Sequence, residues 1–84
     1  MYEIIFHDVA KKQLKKLPIS IQSRIVSKLE RLRFRPHSFV KRLIGSPYFR
    51  LRVGDHRVIV DIKNNILVIL VLELGHRKNI YKTK

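Results

Sequence analysis

Arginines alternate with apolar residues along Tyr48–Val53, where the sequence reads YFRLRV. Successive side chains of a strand point to opposite faces, so a period of two predicts a strand with one apolar and one basic face. The turn residues Gly54–Asp55 follow, and the apolar pattern then resumes. The segment therefore predicts a hairpin that buries one face and presents Arg50 and Arg52 together on the other.

The first third of the chain has the period of helices after one short strand. Glu3–Phe6 is an apolar run typical of a first strand. Asp8 is a plausible N-cap, and Pro18 ends the helix that follows it. Three apolar residues at helical spacing form its buried stripe, namely Ala10, Leu14 and Leu17.

A second helix is predicted from Ser20, a residue type that caps helix N-termini, to the break at Pro36. The buried stripe of this helix comprises Ile21, Ile25, Leu29 and Leu32. Residues 34–47 contain two prolines and a glycine, and they read as a linking loop.

The last long strand is predicted over Ile66–Leu74, after a strand at His56–Ile62 and a turn. Its sequence, ILVILVLEL, is apolar on both faces, which is typical of a strand that is central in its sheet. The prediction is an α+β, two-layer fold. An N-terminal strand and a two-helix hairpin precede an antiparallel meander of three or more strands, all in one domain over residues 1–84.

The net charge is +13, from 19 Lys and Arg against 6 Asp and Glu, while 45% of the residues are hydrophobic. This combination predicts a folded domain with a basic surface that binds polyanions in a salt-dependent way. The chain has no cysteine, which excludes disulfides and thiolate chemistry. Its longest apolar run is too short to span a membrane, so we expect a cytoplasmic protein that uses no membrane.

Two guanidinium groups on one sheet face repel each other unless an anion lies between them. The planar fork of arginine matches phosphate oxygens two at a time. Arg57 follows directly after the hairpin turn and adds a third guanidinium nearby. The pattern therefore favours a phosphate polymer, and RNA above all, as the ligand.

Three motifs give the chain a resemblance to the RelE family of toxins, within the RelE/ParE superfamily. They are LKKLP at Leu14–Pro18, YFRLRVGDHR at Tyr48–Arg57, and GHRKNIY at Gly75–Tyr81. The resemblance implies a RelE-like fold and a ribosome-dependent endonuclease that cuts mRNA in the decoding site. It also implies a RelB-like antitoxin as partner, beside the ribosome and mRNA. Attack by the 2′-hydroxyl requires no cofactor and no metal.

The resemblance also implies roles for individual residues. Arg50 and Arg52 match the paired basic strand residues of the family, and Arg57 matches its phosphate-stabilising arginine. Arg77 matches a tail arginine that acts at the leaving group, and Tyr81 a tyrosine that orients the substrate base. Apart from the resemblance, Tyr48 and Lys78 are assigned to substrate binding. Tyr48 shares the strand parity of Arg50, and an edge tyrosine that caps the core is the alternative reading.

The general base is the position at which this chain departs from the family. The well-studied sites have lysines in place of Arg50 and Arg52, and arginine effectively never loses its proton. His76 is the natural substitute, because histidine titrates near neutral pH. Glu73 and Asp55 are weaker alternatives.

Two other functions stay open at the level of the sequence. One is a ParE-like toxin that blocks DNA gyrase by protein contact, and the other is an RNA-binding module without catalysis. The charge of the domain predicts an acidic antitoxin, whose amphipathic helix we expect in an apolar groove near Leu17, Ile21 and Ile25.

Overall fold

The computed structural model describes residues 1–76, which form one sheet with two helices on one of its faces. In chain order the elements are β1 (Glu3–Phe6), α1 (Asp8–Lys15), α2 (Ile19–Leu32), β2 (Val40–Arg42), β3 (Phe49–Val53), β4 (His56–Lys63) and β5 (Val68–His76). The strand order is β1-β5-β4-β3-β2. The predicted α+β, two-layer fold is confirmed.

Strand β5 is an interior strand of the sheet, second from the edge formed by β1. It pairs in parallel with β1 and antiparallel with β4, and Ile69 and Val71 are fully buried. The strand begins at Val68, two residues later than predicted, because Leu67 adopts a left-handed backbone with φ 54° in the preceding turn.

The core lies between the helices and the sheet. Helix α2 contributes Ile25, Leu29 and Leu32 to the core, and each of them is at most 1% exposed. These residues confirm the predicted buried stripe. The sheet contributes a matching set: Leu51, Val53, Val58, Val60, Ile62, Ile69, Val71 and Leu74. Burying one such side chain stabilises the fold by about 1.5–3 kcal/mol, so this layer holds the helices in place.

The helix ends differ in detail from the prediction. His7, not Asp8, occupies the N-cap of α1, where its Nδ1 accepts a hydrogen bond from the N–H of Val9 at 3.3 Å. Pro18, not Ser20, occupies the N-cap of α2 and makes no side-chain cap. Its carbonyl accepts from the N–H groups of Ile21 and Gln22, so the backbone alone starts the helix.

The segment predicted as a linking loop contains strand β2, which pairs antiparallel with β3. The sequence reasoning missed it because β2 has only three residues, two of them exposed and charged. Lys41 of β2 lies opposite Arg50 of β3, so the short strand extends the sheet beyond the arginines. Within residues 1–76, no helix has the length and apolar character needed to cross a membrane.

Candidate nucleic-acid site on the open sheet face

The arginines of the hairpin share the sheet face that the helices leave open. Arg52 of β3 lies opposite Arg57 of β4, whereas the alternating residues Leu51 and Val53 are buried in the core. Paired residues of antiparallel strands point to the same face. The arginine row, defined as Arg50, Arg52 and Arg57, therefore faces away from the helices, as the sequence predicts.

Exposure along the arginine row is graded. Arg57 is only 5% exposed and is the one buried charged residue among those the structure describes. Arg50 is half-buried and Arg52 is exposed. A guanidinium in a water-poor setting interacts more strongly with an anion than one in bulk water, so the three arginines differ in their electrostatic surroundings.

Gly75 leaves Arg57 without a side chain directly opposite it on β5. The two residues lie opposite each other across β4 and β5. A glycine inside a strand often marks a place where another group approaches closely, because it carries no side chain. The glycine of the GHRKNIY motif thus has a structural role on the arginine face, in addition to its place in the motif.

Lys41 is a fourth cation on this face that the sequence reasoning missed. It lies opposite Arg50 and is exposed. Its place depends on the pairing of β2 with β3, and the only sequence signal for that pairing is Val40, an apolar residue next to two charged ones.

A β-bulge turns Glu73 toward the arginines. Val71 pairs with Val60 and Glu73 pairs with Ile59, so Leu72 is an extra residue in β5. In a regular strand Glu73 would share the core face of Val71, whereas an extra residue reverses the parity. Glu73 therefore lies on the open face, in line with Ile59 and Arg50.

The same register makes Glu73 a diagonal neighbour of Arg57, because Arg57 pairs with Gly75. Diagonal neighbours lie about 7–8 Å apart, within reach of long side chains. The structure therefore brings a carboxylate to the arginine row.

His76 is placed differently from the other predicted site residues. It lies opposite His56, and the two rings meet edge to face with centroids 5.7 Å apart. His56 in turn pairs with Val53, whose side chain is in the core. His76 therefore points to the helix side of the sheet, away from the arginine row.

The remaining predicted residues divide into two groups. Tyr48 directly precedes β3 and is 37% exposed, and its carbonyl accepts from the N–H of Leu43 at 3.0 Å. Arg77, Lys78 and Tyr81 lie outside the described residues. Among residues 1–76, no three His, Asp or Glu side chains are grouped so that they could hold a metal ion.

The fold and the basic open face together define a toxin of the RelE/ParE class. A family model for the ParE toxin of the type II toxin–antitoxin system parDE matches residues 4–81. The chain therefore belongs to this family. None of the curated proteins matches it.

Solved structures of RelE toxins share the fold. The RelBE2 toxin–antitoxin complex of Mycobacterium tuberculosis is 26% identical over 90% of this chain and 98% of that chain, with a TM-score of 0.81. The archaeal RelE–RelB complex of Pyrococcus horikoshii is 30% identical over 90% and 94% of the two chains, with a TM-score of 0.78. The intact RelBE complex of E. coli, at 23% identity over 90% and 96% and a TM-score of 0.80, resembles this chain in fold alone.

Proposed function

We propose that this toxin is a ribosome-dependent endonuclease that cleaves mRNA by attack of the substrate's own 2′-hydroxyl. The arginine row carries the proposal, because it collects three guanidiniums on one open face and buries Arg57 among them. Such an array favours a phosphate group over a protein surface, since each guanidinium can bind two phosphate oxygens.

In this reaction the 2′-oxygen forms a bond to the adjacent phosphorus, and the bond from phosphorus to the 5′-oxygen breaks. The products are a 2′,3′-cyclic phosphate and a 5′-hydroxyl. A base takes the proton of the 2′-hydroxyl, and an acid supplies a proton to the leaving 5′-oxygen. Negative charge builds up on the non-bridging oxygens, where positioned cations stabilise the transition state.

The structure supports a division of roles among the arginines. Arg57 is buried and fits the phosphate that reacts. Arg50 and Arg52 lie on the neighbouring strand β3, are more exposed, and fit the binding of the RNA strand. The roles that the family resemblance implies for Arg77 and Tyr81, and substrate binding by Tyr48 and Lys78, stand as part of the proposal.

Two residues compete for the role of general base. His76 has the suitable chemistry but lies on the helix side of the sheet. Glu73 lies on the arginine face as a diagonal neighbour of Arg57, and its carboxylate can accept a proton. Position favours Glu73.

We also propose a RelB-like antitoxin as partner, because the similar structures from M. tuberculosis and P. horikoshii are toxin–antitoxin complexes. The net charge of +13 fits an acidic partner. Of the three residues at which its helix is expected, Ile25 is fully buried in this chain's own core, whereas Leu17 and Ile21 are half-buried. The exposed apolar residues of α2 are instead Ile19 and Val26.

Primer extension on an mRNA in a translating extract tests the nuclease. We expect cuts within codons only while ribosomes translate, and a loss of about 10²-fold in rate for Arg57→Ala. A second test variant is Arg52→Ala. Because Arg52 is exposed, its replacement keeps the test informative even if Arg57→Ala misfolds. Arg42→Ala is the matched control, because it also removes one positive charge. Arg42 pairs with the core-facing Phe49, so this charge lies on the opposite face of the sheet. Intact mRNA at saturating wild-type protein would refute the proposal.

A second candidate function is inhibition of DNA gyrase by protein contact, which the ParE name of the family model favours. A supercoiling assay with purified gyrase tests it. Inhibition that persists in Arg57→Ala, together with intact mRNA in the extract, would establish this function instead of the nuclease.

A further inference from the structure

A second basic surface lies on the helix side of the sheet, away from the arginine row. It is formed by Arg24, Lys28 and Arg31 of α2, all of them exposed. Residues four and three positions apart lie on one side of a helix. We refer to these three residues as the α2 basic stripe.

The α2 basic stripe borders a groove between α2 and the β3–β4 turn. A cavity of about 160 Å³ lies between Arg24 and His56, and a second of about 290 Å³ runs along Lys28 and Arg31. Both cavities are lined by Arg24 and Val53, so they adjoin each other. Ser23 and Ser27 also line the second cavity and place hydroxyl groups beside the cations.

The turn holds Arg24 in place at one end of the groove. Gly54 adopts φ +59°, and a Cβ at this position would lie 3.4 Å from Nη2 of Arg24. The guanidinium therefore packs against the turn where a side chain is absent. A cation already ordered in this way loses little conformational entropy when it binds a ligand.

The three cations of the stripe outnumber the acids that line the groove. The ion pairs Arg33–Glu30 and Lys63–Asp61 do not include a member of the stripe. Asp55 is the single acidic residue that lines the groove. Three like charges along about 10 Å of helix repel one another unless an anion neutralises them.

The second cavity of the groove is lined by the three cations and two hydroxyls, groups that bind phosphate oxygens, and Val53 is only 3% exposed. The half-buried Ile21 lines the first cavity. The exposed apolar residues Ile19 and Val26 line an adjoining depression, which shares Ser23 and Ser27 with the groove. A length of about 10 Å corresponds to about three nucleotides of a helical strand.

We propose that the groove along the α2 basic stripe is a second RNA-binding surface, which holds a phosphodiester backbone on the side of the sheet opposite to the arginine row. The proposal rests on the proposed function only for the choice of RNA as the polyanion. Two basic surfaces on opposite faces allow the toxin to bind one RNA segment while another lies at the arginine row.

Binding of a fluorescent 2′-O-methyl oligouridine, measured by anisotropy over a range of salt concentrations, tests this surface. The probe lacks the 2′-hydroxyl nucleophile, so the measurement reports binding without cleavage. The test variant is Lys28→Gln/Arg31→Gln, which leaves Arg24 and the turn intact. The control is Lys11→Gln/Lys12→Gln, which removes the same two charges from exposed positions of α1.

We expect the test variant to bind the probe severalfold more weakly. The slope of the logarithm of the binding constant against the logarithm of salt concentration should be smaller in magnitude by about 1.4, because each phosphate contact on a single strand contributes about 0.7. The control is expected to retain the wild-type slope. Equal losses in both variants would show that only net charge matters and would overturn the proposal. If the test variant bound RNA as the wild type does but no longer bound polyglutamate, the groove would be a site for an acidic protein. This result too would overturn the proposal.

The result is independent of the nuclease assay. If the wild-type protein leaves mRNA intact in the translating extract but the two double variants still differ in anisotropy, the proposed nuclease fails and the second RNA surface is supported.

Discussion

The side-chain oxygen of Gln13 in α1 accepts a hydrogen bond from the backbone N–H of Leu74 in β5 at 2.6 Å. The pairing of β1 with β5 ends at Phe6 and Val71, so within residues 1–76 no strand pairs with the following part of β5 on that side. Gln13 therefore takes the place of a strand at the open edge of β5. The contact lies directly after the bulge that turns Glu73 toward the arginine row, and it fixes the register of this segment.

Replacing Gln13 tests this role. Gln13→Met keeps the size of the side chain but leaves the Leu74 N–H without an acceptor, so we expect a loss of about 1–3 kcal/mol in the free energy of unfolding. Gln13→Glu keeps the acceptor and should be much closer to wild type. Urea denaturation gives the stabilities, and hydrogen exchange at the Leu74 amide reports the contact directly. Equal exchange in the three proteins would contradict the role.

The two candidate bases can be separated by matched amide substitutions. Glu73→Gln removes the proton acceptor from the arginine face, and we expect it to lower the cleavage rate by about 10²-fold, the usual contribution of a general base. His76→Gln changes a residue on the helix side, and a loss below tenfold is expected. Single-turnover cleavage on translating ribosomes measures both. A larger loss of cleavage rate for His76→Gln than for Glu73→Gln would identify His76 as the base.

Two glycines provide a paired test of the contact between Arg24 and the hairpin turn. Gly54 and Gly45 both have positive φ, at 59° and 71°, so alanine at either position costs about 1–2 kcal/mol in backbone strain. Only at Gly54 does the new Cβ meet Arg24, while Gly45 has nothing within 4 Å. In thermal unfolding, the melting temperature of Gly54→Ala should be equal to or lower than that of Gly45→Ala. The RNA affinity of the α2 groove should fall for Gly54→Ala alone.

Substitutions at two neighbouring residues of α2 test which side of the helix packs in the core and which side contacts the antitoxin. Ile25 is fully buried whereas Val26 is 42% exposed. Ile25→Ala is expected to cost about 2–5 kcal/mol of stability, because it leaves a cavity in the core. Val26→Ala should cost far less, and if α2 contacts the antitoxin it should weaken that complex in a titration. Full stability of Ile25→Ala would contradict the packing described for α2.

Much of this architecture could be predicted from local patterns. The alternation in β3 correctly assigned Arg50 and Arg52 to one face, and the continuous apolar run correctly indicated that β5 lies inside the sheet and not at its edge. The stripe of α2 is the core stripe of the structure. These predictions succeed because burial imposes the periods of 2.0 and 3.6 residues on each element separately.

The candidate site depends on relationships that no local pattern contains. Lys41 joins the arginine face through a three-residue strand, and Arg57 has no side chain directly opposite it on β5 because Gly75 lies there. Both facts follow from the pairing of segments far apart in the chain.

The amino-acid sequence by itself predicted the fold class and the basic face of the sheet, since periodicity and charge pattern can be read from each segment separately. The tertiary structure decided which groups accompany the arginines. One extra residue in β5 places Glu73 with Arg57 and sends His76 to the opposite face. The physical reason is that a bulge shifts the register by one residue, and in a strand such a shift reverses the face of every side chain that follows.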